Sequence, residues 1–171
     1  MNQTILKTLS FIGAAVKEGQ LKPGVSKTPS ILRSSGLFQS LQQIYGVTKI
    51  KDFGDVDISS VPKEMINTPP PFRHNVNNLH ILDPLLKNVH DTVKRALNEE
   101  KEDNVVVTVG GDHSIASATI SAALSKHPNL KVVWVDAHAD FVNPDIKAIP
   151  NQNYHGMPLS HVCGVAQLPN F

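Results

Sequence analysis

Two apolar runs joined by one helical segment restrict this chain more than anything else in it. "NVVVTVGG" covers residues 104–111 and "NLKVVWVDA" covers 129–137. Each is a continuous apolar stretch rather than an alternating one, which predicts a strand buried on both faces, as in a parallel sheet. Between them lies "SIASATISAALSKH", whose Ala and Ile residues favour a crossover helix. Parallel neighbours need such a crossover. The unit is strand–helix–strand, and the fold class is α/β.

The rest of the chain continues the alternation. Thr8 to Val16 reads as a first strand, followed by the Gly/Pro loop "EGQLKPGVSKTPS". A helix is predicted from Pro29 to Tyr45, then a short strand within "VTKIKDFGDV" that turns at Gly54. Residues 59–78 contain three consecutive prolines, which forbid both helix and sheet ladder, so this connection is irregular. The next helix should start with Asp83 as its cap and Pro84 at its first position. Its apolar stripe is Leu82, Leu86, Val89, Val93 and Leu97, stepping by four and three. Trp134 is expected in a core strand, and Cys163 as a small buried residue.

Composition excludes several classes of function. With a formal net charge of +1 and no basic cluster, nothing points to nucleic acid or an anionic membrane. No run approaches the roughly 20 apolar residues of a membrane helix. A single cysteine rules out an internal disulfide and a cysteine zinc cluster. The N-terminal stretch lacks Arg and is interrupted by Gly13, so it reads as strand rather than leader. A cytoplasmic location is the expectation. The length of 171 residues suits one domain or part of a larger one.

The chemistry gathers at two strand ends. One run ends in Gly110-Gly111-Asp112-His113, the other in Asp136-Ala137-His138-Ala139-Asp140. Open α/β sheets place functional groups beyond the carboxyl ends of their strands. In extended chain, alternate side chains share a face, so Asp136, His138 and Asp140 are expected to converge. Gly110 and Gly111 allow the first strand to end tightly and bring His113 close. Burying so many charges unpaired would cost several kcal/mol per group. A bound metal removes that cost. Carboxylate and imidazole without thiolate suit Mn²⁺ or another divalent ion better than structural zinc.

"GGDHS" at 110–114 with "DAHAD" at 136–140 resembles the ureohydrolase family, the binuclear manganese amidinohydrolases. "GQLKPGVSKTPSILRSSGL" at 19–37 and "NYHGMPLS" at 153–160 resemble the arginase branch rather than agmatinase. The resemblance implies a three-layer α/β/α fold with a mostly parallel sheet, ending here after the DAHxD strand and the histidine loop. It implies one domain over residues 1–171, incomplete at its C-terminus, and a homo-oligomer when complete. It implies two Mn²⁺ ions. His113 and Asp140 would hold one, His138 the other, and Asp136 both. A hydroxide between the ions would attack the guanidinium carbon of L-arginine, giving L-ornithine and urea. His155 matches the family's proton-shuttling histidine, and Asp112 a supporting position.

The sequence also departs from the family pattern. Where arginases place a substrate-binding Asn two residues after the DAHxD acid, this chain has Val142, and Asn143 follows it. The serine for the substrate carboxylate has no counterpart, leaving Asn143, Asn151 and Asn153 as substrate-binding candidates. The family's later Asp-x-Asp and Glu are absent, since Asp145 is the sole acid after Asp140. Two alternatives therefore stand beside an arginase. One is a truncated, non-catalytic chain; the other is an agmatinase or another hydrolase of guanidino compounds.

Overall fold

The computed structural model describes residues 8–45, 47–59, 61, 76–99, 103–144 and 152–166. Its sheet has three parallel strands: β1 (Thr8–Ala14), β2 (Lys49–Asp55) and β3 (Asn104–Gly110), in the order β2-β1-β3. All seven residues of β1 are buried. The register sets Ala14 opposite Gly110, so the loops leaving β1 and β3 emerge side by side.

Alternation along β1 builds a layer on each face. Leu9 and Phe11 join Val47 in one apolar cluster, against which Phe38, Leu41, Ile50, Val107 and Val109 pack. Phe38 and Leu41 come from α2 (Leu37–Tyr45), and the Phe11 and Phe38 rings meet edge to face at 5.1 Å. Ile12 and Ala14 point to the other face, into a larger cluster. That cluster draws on α3 (Leu79–Glu99) and α4 (Ile115–Lys126), which pack on each other. Helix, sheet and helix thus form three layers, as expected.

The local boundaries differ from the sequence reading in instructive ways. The helix predicted from Pro29 to Tyr45 is two helices, α1 (Thr28–Ser34) and α2. They break at Gly36, whose φ of 79° is left-handed. Gly54 lies inside β2 rather than ending it. The long helix starts at Leu79, not at Asp83, and Pro84 sits within it. Leu79, Ile81 and Leu82 are all buried there, so packing outweighs the local start signal. The N–H groups of Ile81 and Leu82 both donate to the Asn78 carbonyl, which serves as the start.

The second apolar run is the main correction. Lys131–Val135 is no strand: among the described residues it has no ladder partner, and Val133 and Val135 are 85% and 91% exposed. β3 therefore has one unpaired edge among the described residues, and its side chains are only partly buried. Apolar composition supplies strand propensity, but a strand needs a ladder partner to be held. Trp134 is accordingly half-exposed rather than in a core strand, and Cys163 is exposed rather than buried. The 59–78 connection lies mostly outside the described residues, as do Asp145 and Asn151.

The apolar stripe of α3 was read correctly, with Leu82, Leu86, Val89 and Val93 buried. Leu86→Ala is expected to destabilise the protein by about 2–5 kcal/mol, because the fully buried side chain leaves a cavity. Chemical denaturation checks this. A loss below about 1 kcal/mol would mean that α3 does not hold the layer together.

Candidate metal centre

The site begins with how β3 ends. Gly111 donates its N–H to the Ala14 carbonyl at 3.1 Å, and Asp112 donates to the Val16 carbonyl at 2.7 Å. The chain thus stays against the β1 exit past the last strand residue. A Cβ on Gly111 would sit 1.7 Å from the Val16 oxygen, so only glycine allows this approach. Gly110 is less constrained, since its Cβ would meet the flexible tip of Ile115. The tight exit delivers His113 just before α4.

The second apolar run reaches the same place by another route. Asp136 Oδ1 accepts the His138 N–H at 2.8 Å, a side-chain-closed turn that bends residues 136–138. Asp140 then takes a left-handed φ of 45°. The segment is not an extended strand, so the expected alternation does not operate. Convergence comes from the bend and the positive φ instead.

Three groups meet. His113 Nδ1 lies 2.5 Å from Asp140 Oδ2 and 3.4 Å from Asp136 Oδ2. One ligand atom from each lies within 4.8 Å of the others, an arrangement able to hold a cation. The donor set fits a divalent ion: two carboxylates and one imidazole, with no thiolate. His138 stands apart. Its ring nitrogen is 3.4 Å from Asp136 Oδ1, but its side chain is 81% exposed. The backbone N–H of His138, together with the nearby His113 and His138 rings, holds the Asp136 carboxyl below its usual range. It is ionised at neutral pH, as a metal ligand must be.

These residues line one cleft of about 610 Å³. Its wall includes His113, Asp136, His138, Asp140 and His155. His155 lies on a short 3₁₀ turn, Tyr154–Gly156, and its Nδ1 is 2.9 Å from the Gly19 carbonyl. Trp134 lies against His113, with ring centroids 4.8 Å apart, so its departure from the core places it beside the site. The helix α5 (Pro158–Val162) steadies the far wall: Leu159 N–H donates to the Asp140 carbonyl and Ser160 Oγ to that of Val142.

The substrate candidates fare differently. Asn143 and Asn153 are not among the described residues lining this cleft, and Asn153 Oδ1 accepts from Asn77 Nδ2 at 2.9 Å. Gln20 and Phe141 do line it and were not picked out from sequence. Gln20 follows the exit of the central strand, and that position next to the β3 exit was the available signal.

A match to the Arginase family runs over residues 7–169. The chain belongs to the arginase family. Arginase-1 of Xenopus laevis is 38% identical over 156 residues, covering 90% of this chain and 44% of that protein. The mitochondrial Arginase-2 of Rattus norvegicus is 36% identical, covering 96% and 44%. Among solved structures, the arginase of Bacillus caldovelox superposes with a TM-score of 0.75 at 28% identity, over 92% of this chain and 49% of that one. The arginase of Entamoeba histolytica, solved with L-ornithine, gives 0.73 at 29% identity, over 96% and 52%. The chain spans about half the length of the curated relatives it matches. Arginase-family proteins are metal-dependent amidinohydrolases, in keeping with the carboxylate–imidazole group here.

Proposed function

We propose that this chain carries an arginase-type centre for the hydrolysis of L-arginine to L-ornithine and urea. The observation that carries the reading is the convergence of His113 Nδ1 with the Asp136 and Asp140 carboxylates inside the cleft that His155 also lines. His113 and Asp140 would hold one divalent ion, manganese in this reading; His138 would hold a second, and Asp136 would serve both. When bound, such ions supply a water ionised at neutral pH as the nucleophile. The chain's own residues do the rest. His155 carries a proton between solvent and the departing amine, since imidazole exchanges protons near neutral pH. Asn143, Asn151 and Asn153 remain candidates for the amino-acid end of the substrate. The wider reading is one domain across residues 1–171, cytoplasmic, and a homo-oligomer. A core cluster running from Ile12 to Ala166 supports the single domain. Among the described residues, no helix is long and apolar enough to cross a membrane.

Manganese titration and a urea assay test this together. Bound manganese is expected, with urea released from arginine in preference to agmatine. Turnover by residues 1–171 alone should fall far below the roughly 1–10³ per second of ordinary enzymes, because only His138 and Asp136 would be offered to the second ion. Preference for agmatine would move the reading to a guanidino substrate without the α-carboxylate. Absence of bound manganese would end it. A second reading, metal binding without turnover, is favoured by the exposure of His138. Bound manganese with no urea selects it.

His155→Asn should cut whatever urea release the protein shows by about 10²–10⁴-fold, the usual worth of a general acid–base group. Manganese stoichiometry should not change. Loss of the metal would make His155 a ligand and remove the shuttle role.

A further inference from the structure

The Asp112 side chain ties the loop after β1 to the start of α4. It is 4% exposed and accepts three backbone N–H groups. Its Oδ2 takes Gly19 at 2.8 Å and Gln20 at 3.1 Å, and its Oδ1 takes Ser114 at 2.9 Å. Hydrogen bonds to a carboxylate are among the strong ones, so the loop after β1 is pinned to the β3 exit. The peptide group joining Gly19 to Gln20 is held from both ends. Its Gln20 N–H donates to Asp112, and its Gly19 carbonyl accepts the His155 backbone N–H at 3.3 Å and faces His155 Nδ1 at 2.9 Å. A side chain at Gly19 has no room, since its Cβ would lie 1.7 Å from Ser114 Oγ.

A carbonyl can only accept. The His155 nitrogen facing it must therefore carry the hydrogen, which leaves Nε2 as the atom free to take a proton. We propose that Asp112 is a positioning residue for His155, acting through the Gly19 peptide to hold the imidazole as the Nδ1–H tautomer. The inference rests on the shuttle reading of His155 and explains how that histidine is prepared for it. It also separates Asp112 from a purely structural tie, which would fix the loop but leave the tautomer unaffected.

Residues 1–171 labelled with ¹⁵N-histidine are examined by long-range ¹H–¹⁵N correlation at a pH where the rings are neutral. The wild type should show His155 predominantly as Nδ1–H. Asp112→Asn presents an amide N–H₂ or a weaker oxygen to three donors, and should shift His155 toward Nε2–H while amide dispersion stays that of a folded chain. A folded Asp112→Asn with an unchanged tautomer overturns the proposal, as does a wild-type His155 in the Nε2–H form. Should the variant not fold, amide exchange in the wild type decides: Gly19 and Gln20 must be protected, and rapid exchange at both overturns the proposal. Full urea release by His155→Asn is a separate failure. It would end the shuttle reading, and with it any catalytic meaning of the tautomer, without touching the tautomer itself.

Discussion

Asp136→Ala should weaken manganese binding by more than about 100-fold, beyond the 10–100-fold typical of losing a group that only supports a ligand. Among the described residues, Asp136 is the carboxylate that faces both His113 and His138. Its Oδ2 faces His113 Nδ1 at 3.4 Å, and its Oδ1 faces the His138 ring at the same distance. The same oxygen closes the turn that brings Asp140 round to His113. Removing it would take away one proposed ligand and loosen the bend that positions another, Asp140. The side chain sits on the cleft wall rather than in the core, so the fold should survive. Manganese titration followed by paramagnetic resonance, with circular dichroism as the fold control, reads the result. Affinity within threefold of wild type would take Asp136 out of the centre. Asp136→Asn is a useful companion: it can still accept the His138 N–H but lacks the charge, so metal should be lost while the turn remains.

Gly111→Ala is expected to be the most damaging change to the fold, costing more than about 4 kcal/mol, in the exceptional range for a single substitution. The added methyl would lie 1.7 Å from the Val16 oxygen, 2.6 Å from its carbonyl carbon and 2.7 Å from its nitrogen. All three atoms are backbone, so no side-chain rotation relieves the clash. Either the β3 exit moves away from β1, or the bonds from Gly111 to Ala14 and from Asp112 to Val16 break. Both outcomes also displace His113. Gly110→Ala is the control, because there the contact is the movable tip of Ile115, and it should cost much less. Thermal denaturation of the two variants separates them. Equal melting temperatures for Gly111→Ala and wild type would show that the close approach of the two exits is not required.

The consequences of the unpaired segment run through both the fold and the site. Val132, Val133 and Val135 are exposed, and β3 is buried only in part. The chemistry nevertheless assembles, because Asp136 and Asp140 are placed by a local turn and a left-handed residue, not by a ladder. The site is better formed on the His113 side, which the sheet anchors, than on the His138 side, where the His138 side chain stands exposed.

Much was determined by the sequence alone. Continuous apolar runs and a stripe repeating by three and four specify which segments can be buried, and those are short-range properties. β1, β3, α3 and α4 were legible for that reason. The grouping of His113 with Asp136 and Asp140 was also legible, because acids and histidines gathered beyond the sheet's carboxyl edge point to a shared site, whereas His138 does not join that group. Tertiary structure decided the rest. Whether Lys131–Val135 becomes a strand depends on a partner to complete its hydrogen bonds, which propensity cannot supply. Where α3 begins was settled by the burial of Leu79, Ile81 and Leu82, not by the Asp83-Pro84 signal. The hold of Asp112 on Gly19 and the contact of His155 with the Gly19 carbonyl join residues 93 and 136 positions apart in the chain. Contacts of that range exist only once β1 and β3 lie side by side, with their exits a hydrogen bond apart.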